Sequence, residues 1–475
     1  MPVEFSDRMT YPQSAPVLVV GGGLCGLIAA LAARDAGAEV VLIERETHLG
    51  GSIQSGRGIV PAAGTRYQAA AGIVDSASQF AADLQRKSRG AGDVRMTLAV
   101  TSAVAPTIEW LADRHGVPWQ LEPGLPQAGH AKQRFHGVPE RSGVALVRRL
   151  EEAARRAGVR IITGARVLDL HASEDGRVVG AMYTRRDGTS EDIGCQALVL
   201  ASGGFAANGS YRKQFMPAVA EAFYAGHRGS YGDALHWASR LGAGLRHTGA
   251  YSARAAFAPS CGQLLPRTLI DEGGIQVNLR GERFGNEVDG DADFAAQLMA
   301  QPRGLAWTIY DERIHQQAMG GDEYRVLAGS NAVHQGATPE ALAAQIGVPA
   351  PALADVFDRV RDYQIGRSVD PFGRVFAGRE PMALPLRAVC VTAALLHTQG
   401  GLMVDVHGRV LRDDGTPLPN LFAGGHAACG ISGPHGSGYL PGSGWLCALS
   451  LGRLAGTSAA RMVGWAGAQA PEAAA

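Results

Sequence analysis

Short apolar runs alternate with glycine-rich turns along the first two hundred residues. Residues 17–20 are unbroken Val/Leu and meet Gly21-Gly22-Gly23-Leu24-Cys25-Gly26. Residues 24–36 are rich in Ala and Leu and predict a helix. After Gly37 a second apolar run, residues 39–43, ends in Glu44. Residues 143–157 carry apolar side chains at helical spacing and predict an amphipathic helix. Residues 160–170, 178–184 and 197–200 predict strands, the last meeting Ala201-Ser202-Gly203-Gly204-Phe205. From about residue 266 to residue 394 charge is denser. Helical patterns there cover residues 293–300 and 351–363, and a Gly/Asp-rich stretch spans residues 320–323. An apolar run returns at residues 418–425, LPNLFAGG.

Strand, glycine turn, helix, strand and terminal acid, in that order, make the first half of a Rossmann unit. Gly21 permits the tight turn, Gly23 lets backbone approach a pyrophosphate, and Gly26 lets helix and strand pack closely. The phosphates would meet the free N–H groups and positive dipole of the helix N-terminus. Glu44 is spaced to accept from a ribose hydroxyl. Only one such fingerprint occurs, which argues against a second, NAD(P)-binding nucleotide domain. The return of an apolar run ending in glycines near the C-terminus suits a long flavin cofactor whose two halves contact distant parts of the chain.

Composition narrows the class. Lys+Arg and Asp+Glu both number 44, so nothing in the charge favours nucleic acid or an anionic membrane surface. Glycine supplies 64 of 475 residues, well above the usual 7% or so, in keeping with many tight turns. Six scattered cysteines form no C-x-x-C pair, which speaks against a disulfide framework, a metal site, an iron–sulfur cluster or a c-type haem. Residues 1–13 show no apolar leader region, and no charge-free apolar run reaches 18 residues. A cytoplasmic protein without a membrane span is the expectation.

The same residues carry a resemblance. GGGLCG with Glu44 is joined by Ala63-Gly64-Thr65 with Gln68, Asp75-Ser76, ASGGF at 201–205 and Gly232-Asp233. Gly281-Glu282-Arg283-Phe284-Gly285-Asn286-Glu287, His397-Thr398-Gln399-Gly400-Gly401-Leu402 and LFAGG…GRLAG complete the set. Together, from about residue 15 to residue 456, they resemble the flavoprotein family of fumarate reductases, urocanate reductases and ketosteroid dehydrogenases. The resemblance implies an α/β fold: a Rossmann-like FAD-binding domain with an inserted α+β cap domain. The expected division is 14–265 and 395–465 for the FAD domain, 266–394 for the cap, and a disordered tail at 466–475. It implies FAD held by Gly21, Gly23, Gly26, Glu44, Gly51, Ser52, Gly64, Thr65, Gly203, Asp233, Gly425, His426 and Gly444. His426 stands where reductase-type relatives have glutamate. Residues 50–64 contain no histidine of the kind that links FAD covalently, so non-covalent FAD is expected.

Which branch the chain follows turns on the last loop. Tyr439 stands where fumarate reductases carry the arginine that clamps a substrate carboxylate, and His315, with Arg313 beside it, falls near the place of their proton-donating arginine. Tyr439 followed by Gly442 instead resembles ketosteroid dehydrogenases, in which tyrosine hydroxyl and glycine N–H hold the substrate carbonyl. A neutral donor pair suits a ketone, and an arginine suits a carboxylate. Two donors on an oxygen that gains negative charge form an oxyanion hole. The base that removes the α-proton is assigned to Tyr251, with Asp291 and His315 as rivals. His397, Arg254, His315 and Trp110 are expected at the substrate.

The expected activity is therefore FAD-dependent α,β-dehydrogenation of a ketone, cyclic or a 3-ketosteroid, passing electrons to an acceptor that the sequence does not name. The rivals are a fumarate- or urocanate-type reductase and a non-catalytic or nucleic-acid-associated flavoprotein.

Overall fold

The computed structural model describes residues 3–6, 10–124, 129–376 and 378–469. The chain forms two compact units, one from Met1–Tyr211, Gly226–Ala250 and His397–Ala475, the other from Arg212–Ala225 and Tyr251–Leu396.

The first unit is built on a nine-stranded sheet. Its main path runs Val3–Phe5, Ala165–Ala172, Val178–Arg185, Ser190–Leu200, Ser14–Val20, Val40–Ile43, Arg160–Ile162. The strand Ser190–Leu200 changes partner along its length. Its first half pairs antiparallel with Val178–Arg185, and its second half pairs parallel with both Ser14–Val20 and the returning strand Pro417–Ala423. Leu200 is thereby aligned with Val20 and with Ala423, and Val20 with Ile43. Four strands thus end together. The residues that follow them, Gly21, Glu44, Ala201–Gly203 and Gly424–His426, gather at one edge, where open α/β sheets bind ligands.

The helix Leu24–Asp35 is buried on nearly every side, because the C-terminal helix Ser443–Gln469 covers the face that the sheet does not. Its Ala-rich sequence allows that approach, and Gly26 is obligatory. A Cβ there would lie 1.8 Å from the Gly21 carbonyl oxygen, far inside contact distance.

Two expectations shift in this unit. The run at 160–170 is two strands, Arg160–Ile162 and Ala165–Ala172, on different parts of the sheet. Gly164, at φ +63°, turns the chain between them, and its N–H donates to the Glu46 carbonyl. Residues 466–469, expected in a disordered tail, close the helix Ser443–Gln469, while 470–475 lie outside the described residues.

The second unit has its own seven-stranded sheet. Its path is Gln263–Leu264, Tyr251–Ala258, Leu386–Thr398, Ala306–Asp311, Ile275–Asn278, with Phe223–Tyr224 and Val333–Gly336 also on Leu386–Thr398. Helices Pro339–Ile346 and Ala350–Gln364 pack Leu342, Ile346, Leu353 and Phe357 on Ile275, Val277, Trp307 and Ile309. A buried network joins Arg283 to Glu287 and Asp370, and Arg374 to Glu287. Burial alone would raise the Glu287 carboxyl, but the hydrogen bond and charge of Arg283 hold it below the usual range. The unit differs from the expected 266–394 cap at its start. Tyr251–Ala258 belongs to its sheet, and Phe223–Tyr224 pairs with Ala394 and Leu395. Strand pairing overrode the composition change that had suggested residue 266.

Among the described residues no helix is long and apolar enough to cross a membrane, and no group of three or more His, Cys, Asp or Glu is placed to hold a metal.

Candidate active site

At the shared strand ends of the first unit lies an open cleft. Gly21, Gly23, Glu44, Gly51, Ser52, Gly203, Gly425 and His426 line it, as do Arg45, Ser202, His227, Ser230 and Trp445. Gly23 caps the helix Leu24–Asp35 without any side-chain hydrogen bond to its first turn, so the first N–H groups stay available to an anion. Glu44 ends its strand with both carboxylate oxygens engaged. Oε2 accepts from the Gly22 N–H at 2.6 Å and Oε1 from the Glu46 N–H at 2.9 Å. Each oxygen keeps capacity for a second donor.

Two buried atoms on the lining, Ser202 Oγ and His426 Nε2, have no hydrogen-bond partner among the described residues. Buried polar groups are normally satisfied. These orphans, the open helix N-terminus and the acid beyond it fit a dinucleotide with hydroxyl and phosphate groups.

Some expected contacts lie elsewhere. Gly26 packs behind the turn. Asp233 does not line the cleft; its carboxylate meets Arg45, which does, so it orients a lining residue that sequence reasoning missed. Gly64 and Thr65 also lie off the lining. Thr65 caps the short helix Arg66–Ala70, and its hydroxyl reaches His136 Nε2 at 2.8 Å.

Beyond the cleft, one ring cluster collects four expected residues. His397 lies 4.4 Å from His426 and 5.4 Å from Tyr439 between ring centroids, and Gly444 leaves room for the two imidazoles. The Gln399 amide donates to His397 Nδ1 at 2.7 Å, and its oxygen accepts from Ser432 Oγ at 3.1 Å. That chain assigns the His397 proton to Nε2. Burial pushes the His397 pKa down to about 4, and burial together with His397 holds His426 well below its ordinary value. Both rings are neutral at pH 7.

The chain leaves this cluster through Tyr439 and Gly442 into the helix Ser443–Gln469. Gly442 has φ +84° and backs Pro61, whose Cδ would lie 2.8 Å from a Cβ. Its carbonyl accepts the first helical bond, from Leu446, while its N–H has no acceptor among the described residues. That N–H stands at the positive end of a long helix.

Tyr251, Arg254 and His315 belong to the second unit. Tyr251 is buried, and burial followed by the charge of Asp293 pushes its hydroxyl up to about 12. Arg254 donates to the Leu265 carbonyl and lines a smaller pocket with Asp291, whose carboxylate is taken by Arg267. His315 Nδ1 is 2.8 Å from the Tyr324 hydroxyl, and burial, then Arg387, lower its pKa. Arg313 is occupied by Glu272, Asp311 and Glu380.

Trp110, expected at the substrate, is held by other partners. Its indole N–H donates to Asp35 at 2.8 Å, its ring meets His115 edge-on, and Arg453 lies over it. It ties the end of the helix Leu24–Asp35 to its neighbours and does not line the cleft.

The chain matches the FAD binding domain family over residues 16–444. It is similar to a probable fumarate reductase of Shewanella frigidimarina, 28% identical over 94% of this chain and 75% of the relative. It is also similar to the 4-oxocyclohex-2-ene-1-carboxylate 5-dehydrogenase of Sinomonas cyclohexanicum, 27% identical over 97% of this chain and 96% of the relative. Among solved structures, 3-ketosteroid Δ4-(5α)-dehydrogenase from Rhodococcus jostii RHA1 superposes with a TM-score of 0.77 at 26% identity, covering 96% of this chain and 98% of that one. The chain belongs to the FAD binding domain family, and it is a FAD-dependent oxidoreductase.

Proposed function

We propose that this flavoprotein desaturates a ketone between its α and β carbons, the substrate being a cyclic ketone or a 3-ketosteroid. The observation that carries this reading is the neutral donor set around Tyr439. His397 and His426 are uncharged, the Gly442 N–H at a helix N-terminus has no acceptor among the described residues, and no arginine occupies the loop from Gly436 to Gly442. Such a set matches the oxygen of a ketone, whose charge appears only as the α-proton leaves.

In this reading the Tyr439 hydroxyl and the Gly442 N–H polarise the carbonyl, and Tyr251 takes the α-proton. Bound FAD would supply the acceptor for the β-hydride, so that of the two C–H bonds broken the α bond gives up a proton and the β bond a hydride while the C=C bond forms. The cradle for it would be Gly21, Gly23, Glu44, Ser202 and His426. Because the Tyr251 hydroxyl is pushed up to about 12, only a small fraction is phenolate at neutral pH. Flavin reduction by ketone should then rise about tenfold per pH unit through the alkaline range. A rate that is flat above pH 7 would instead take the role of base from Tyr251.

A fumarate- or urocanate-type reductase is the second reading, favoured by the fumarate reductase relative and by His397 in its H-T-x-G-G setting. The substitution Tyr439→Phe separates the two. Loss of one oxyanion donor should slow ketone-driven flavin reduction about 10²- to 10³-fold. A reductase that relies on other groups to hold a carboxylate would keep its rate.

A further inference from the structure

The loop carrying Tyr439 and Gly442 is gripped by a residue far away in the sequence. His130 is buried edge-on to Phe135, with ring centroids 5.0 Å apart, and tilted against Phe80 at 5.6 Å. Its Nε2 lies 2.9 Å from the Pro441 carbonyl oxygen, 311 positions along the chain. A carbonyl only accepts, so Nε2 carries the proton and donates. Nδ1 is then a bare lone pair, buried with no partner among the described residues. An unsatisfied buried acceptor costs free energy, yet the ring keeps its one proton on Pro441. Burial lowers the His130 pKa to about 4, so the donor stays neutral. The adjoining Gly129 lies so close to the same loop that a Cβ there would be 2.6 Å from Leu440 Cδ1.

The Pro441 carbonyl and the Gly442 N–H belong to one peptide group. That peptide is trans, the cis bond among the described residues being Leu384–Pro385. In a planar trans peptide the C=O and N–H point in opposite directions. A donor fixed on the oxygen therefore fixes where the N–H points. It also draws electron density through the amide and makes the N–H a better donor.

We propose that His130 is a positioning residue: by holding the Pro441 carbonyl it aims and strengthens the Gly442 N–H toward the ketone oxygen. This rests on the ketone reading above. His130 touches neither substrate nor flavin in this role. It acts only through the peptide.

The test uses the FAD-loaded protein with His130→Phe, which keeps the ring between Phe80 and Phe135 but removes the donor, and His130→Gln, whose amide can reach Pro441 as Nε2 does. His130→Met replaces the first variant if that one loses FAD. Two readouts are taken with whichever of cyclohexanone, a carboxylated cyclic ketone and a 3-ketosteroid bleaches wild-type protein: the anaerobic rate of flavin reduction, and the resonance of that ketone's 13C-labelled carbonyl when bound to chemically reduced protein, which cannot take its hydride. His130→Phe should slow reduction about tenfold with KM changed less than about twofold, and should return the carbonyl resonance part of the way toward its free position. His130→Gln should recover most of both. Wild-type rate and resonance in a folded, FAD-loaded His130→Phe would overturn the proposal. So would a His130→Gln variant as slow as His130→Phe, because the ring would then matter only as packing. If none of the three ketones bleaches wild-type protein, the ketone reading itself fails, and that is seen before any variant is compared.

Discussion

Replacing Glu44 by glutamine changes one atom of the side chain and tests how the cleft holds its cofactor. Glu44 is 8% exposed, and its two carboxylate oxygens accept from two backbone donors, Gly22 at 2.6 Å and Glu46 at 2.9 Å. Glutamine has one oxygen. Whichever way its amide turns, an NH2 group faces one of those N–H groups, donor against donor. A hydrogen bond to a charged acceptor contributes about 1.5–3 kcal/mol. One such bond is lost with or without cofactor, so the FAD-free protein should be less stable by about that amount. The NH2 end also cannot accept a ribose hydroxyl. A second loss of the same size falls on the complex alone and weakens FAD binding about 10- to 150-fold. The assay is urea denaturation of FAD-free protein, followed by fluorescence titration with FAD. A Glu44→Gln variant that is destabilised but rebinds FAD with wild-type affinity would show that Glu44 only braces the glycine turn. A variant unchanged in both would refute the geometry.

Two further predictions follow from the ring cluster and its surroundings. Gly444→Ala should leave overall stability within about 1 kcal/mol, since alanine is the better helix former. Yet its Cβ would lie 2.8 Å from His426 Nε2 and 3.3 Å from His397 Cε1. The rings must move, and ketone-driven bleaching should fall at least about tenfold; an unchanged rate would separate the cluster from the chemistry. Acid should weaken the fold through His130 and His136, both lowered to about 4 by burial. A histidine with a depressed pKa stays neutral in the fold while the unfolded chain protonates below about pH 6.5. Stability is therefore full above 6.5 and lost as pH falls toward 4, by about 3 kcal/mol for each ring. A denaturation midpoint that is flat from pH 7 to 4.5 would contradict this.

The nucleotide end of the site was legible because its chemistry is local. GGGLCG and Glu44 lie within one strand–helix–strand unit, and spacing alone brings them to one cleft. Tyr439, Gly442 and His397 were singled out through resemblance, and the structure sets His397 beside Tyr439, in the loop that carries Gly442. Other parts were not legible. The run at 160–170 has the hydrophobicity of one strand, and only the left-handed turn at Gly164 divides it. The long segment of the second unit begins at Tyr251 because strand pairing, which composition does not report, takes residues 251–258 into its sheet. Asp233 was read as a cofactor contact, but its charge is spent on Arg45, the neighbour of Glu44 and a residue with no motif of its own. Trp110 has helical spacing on a face toward Asp35 and Arg453, not toward the cleft. His130 gives no sequence signal, because its one significant bond spans 311 positions.

The central claim is that the enzyme oxidises ketones, and the most direct measurement is the flavin spectrum. Oxidised, FAD-loaded protein is mixed anaerobically with cyclohexanone, with a carboxylated cyclic ketone and with a 3-ketosteroid. Bleaching of the yellow flavin band by at least one of them, slowed at least about a hundredfold by Tyr439→Phe, is the predicted result. No bleaching with any ketone, together with prompt reoxidation of chemically reduced protein by fumarate or urocanate, would contradict it.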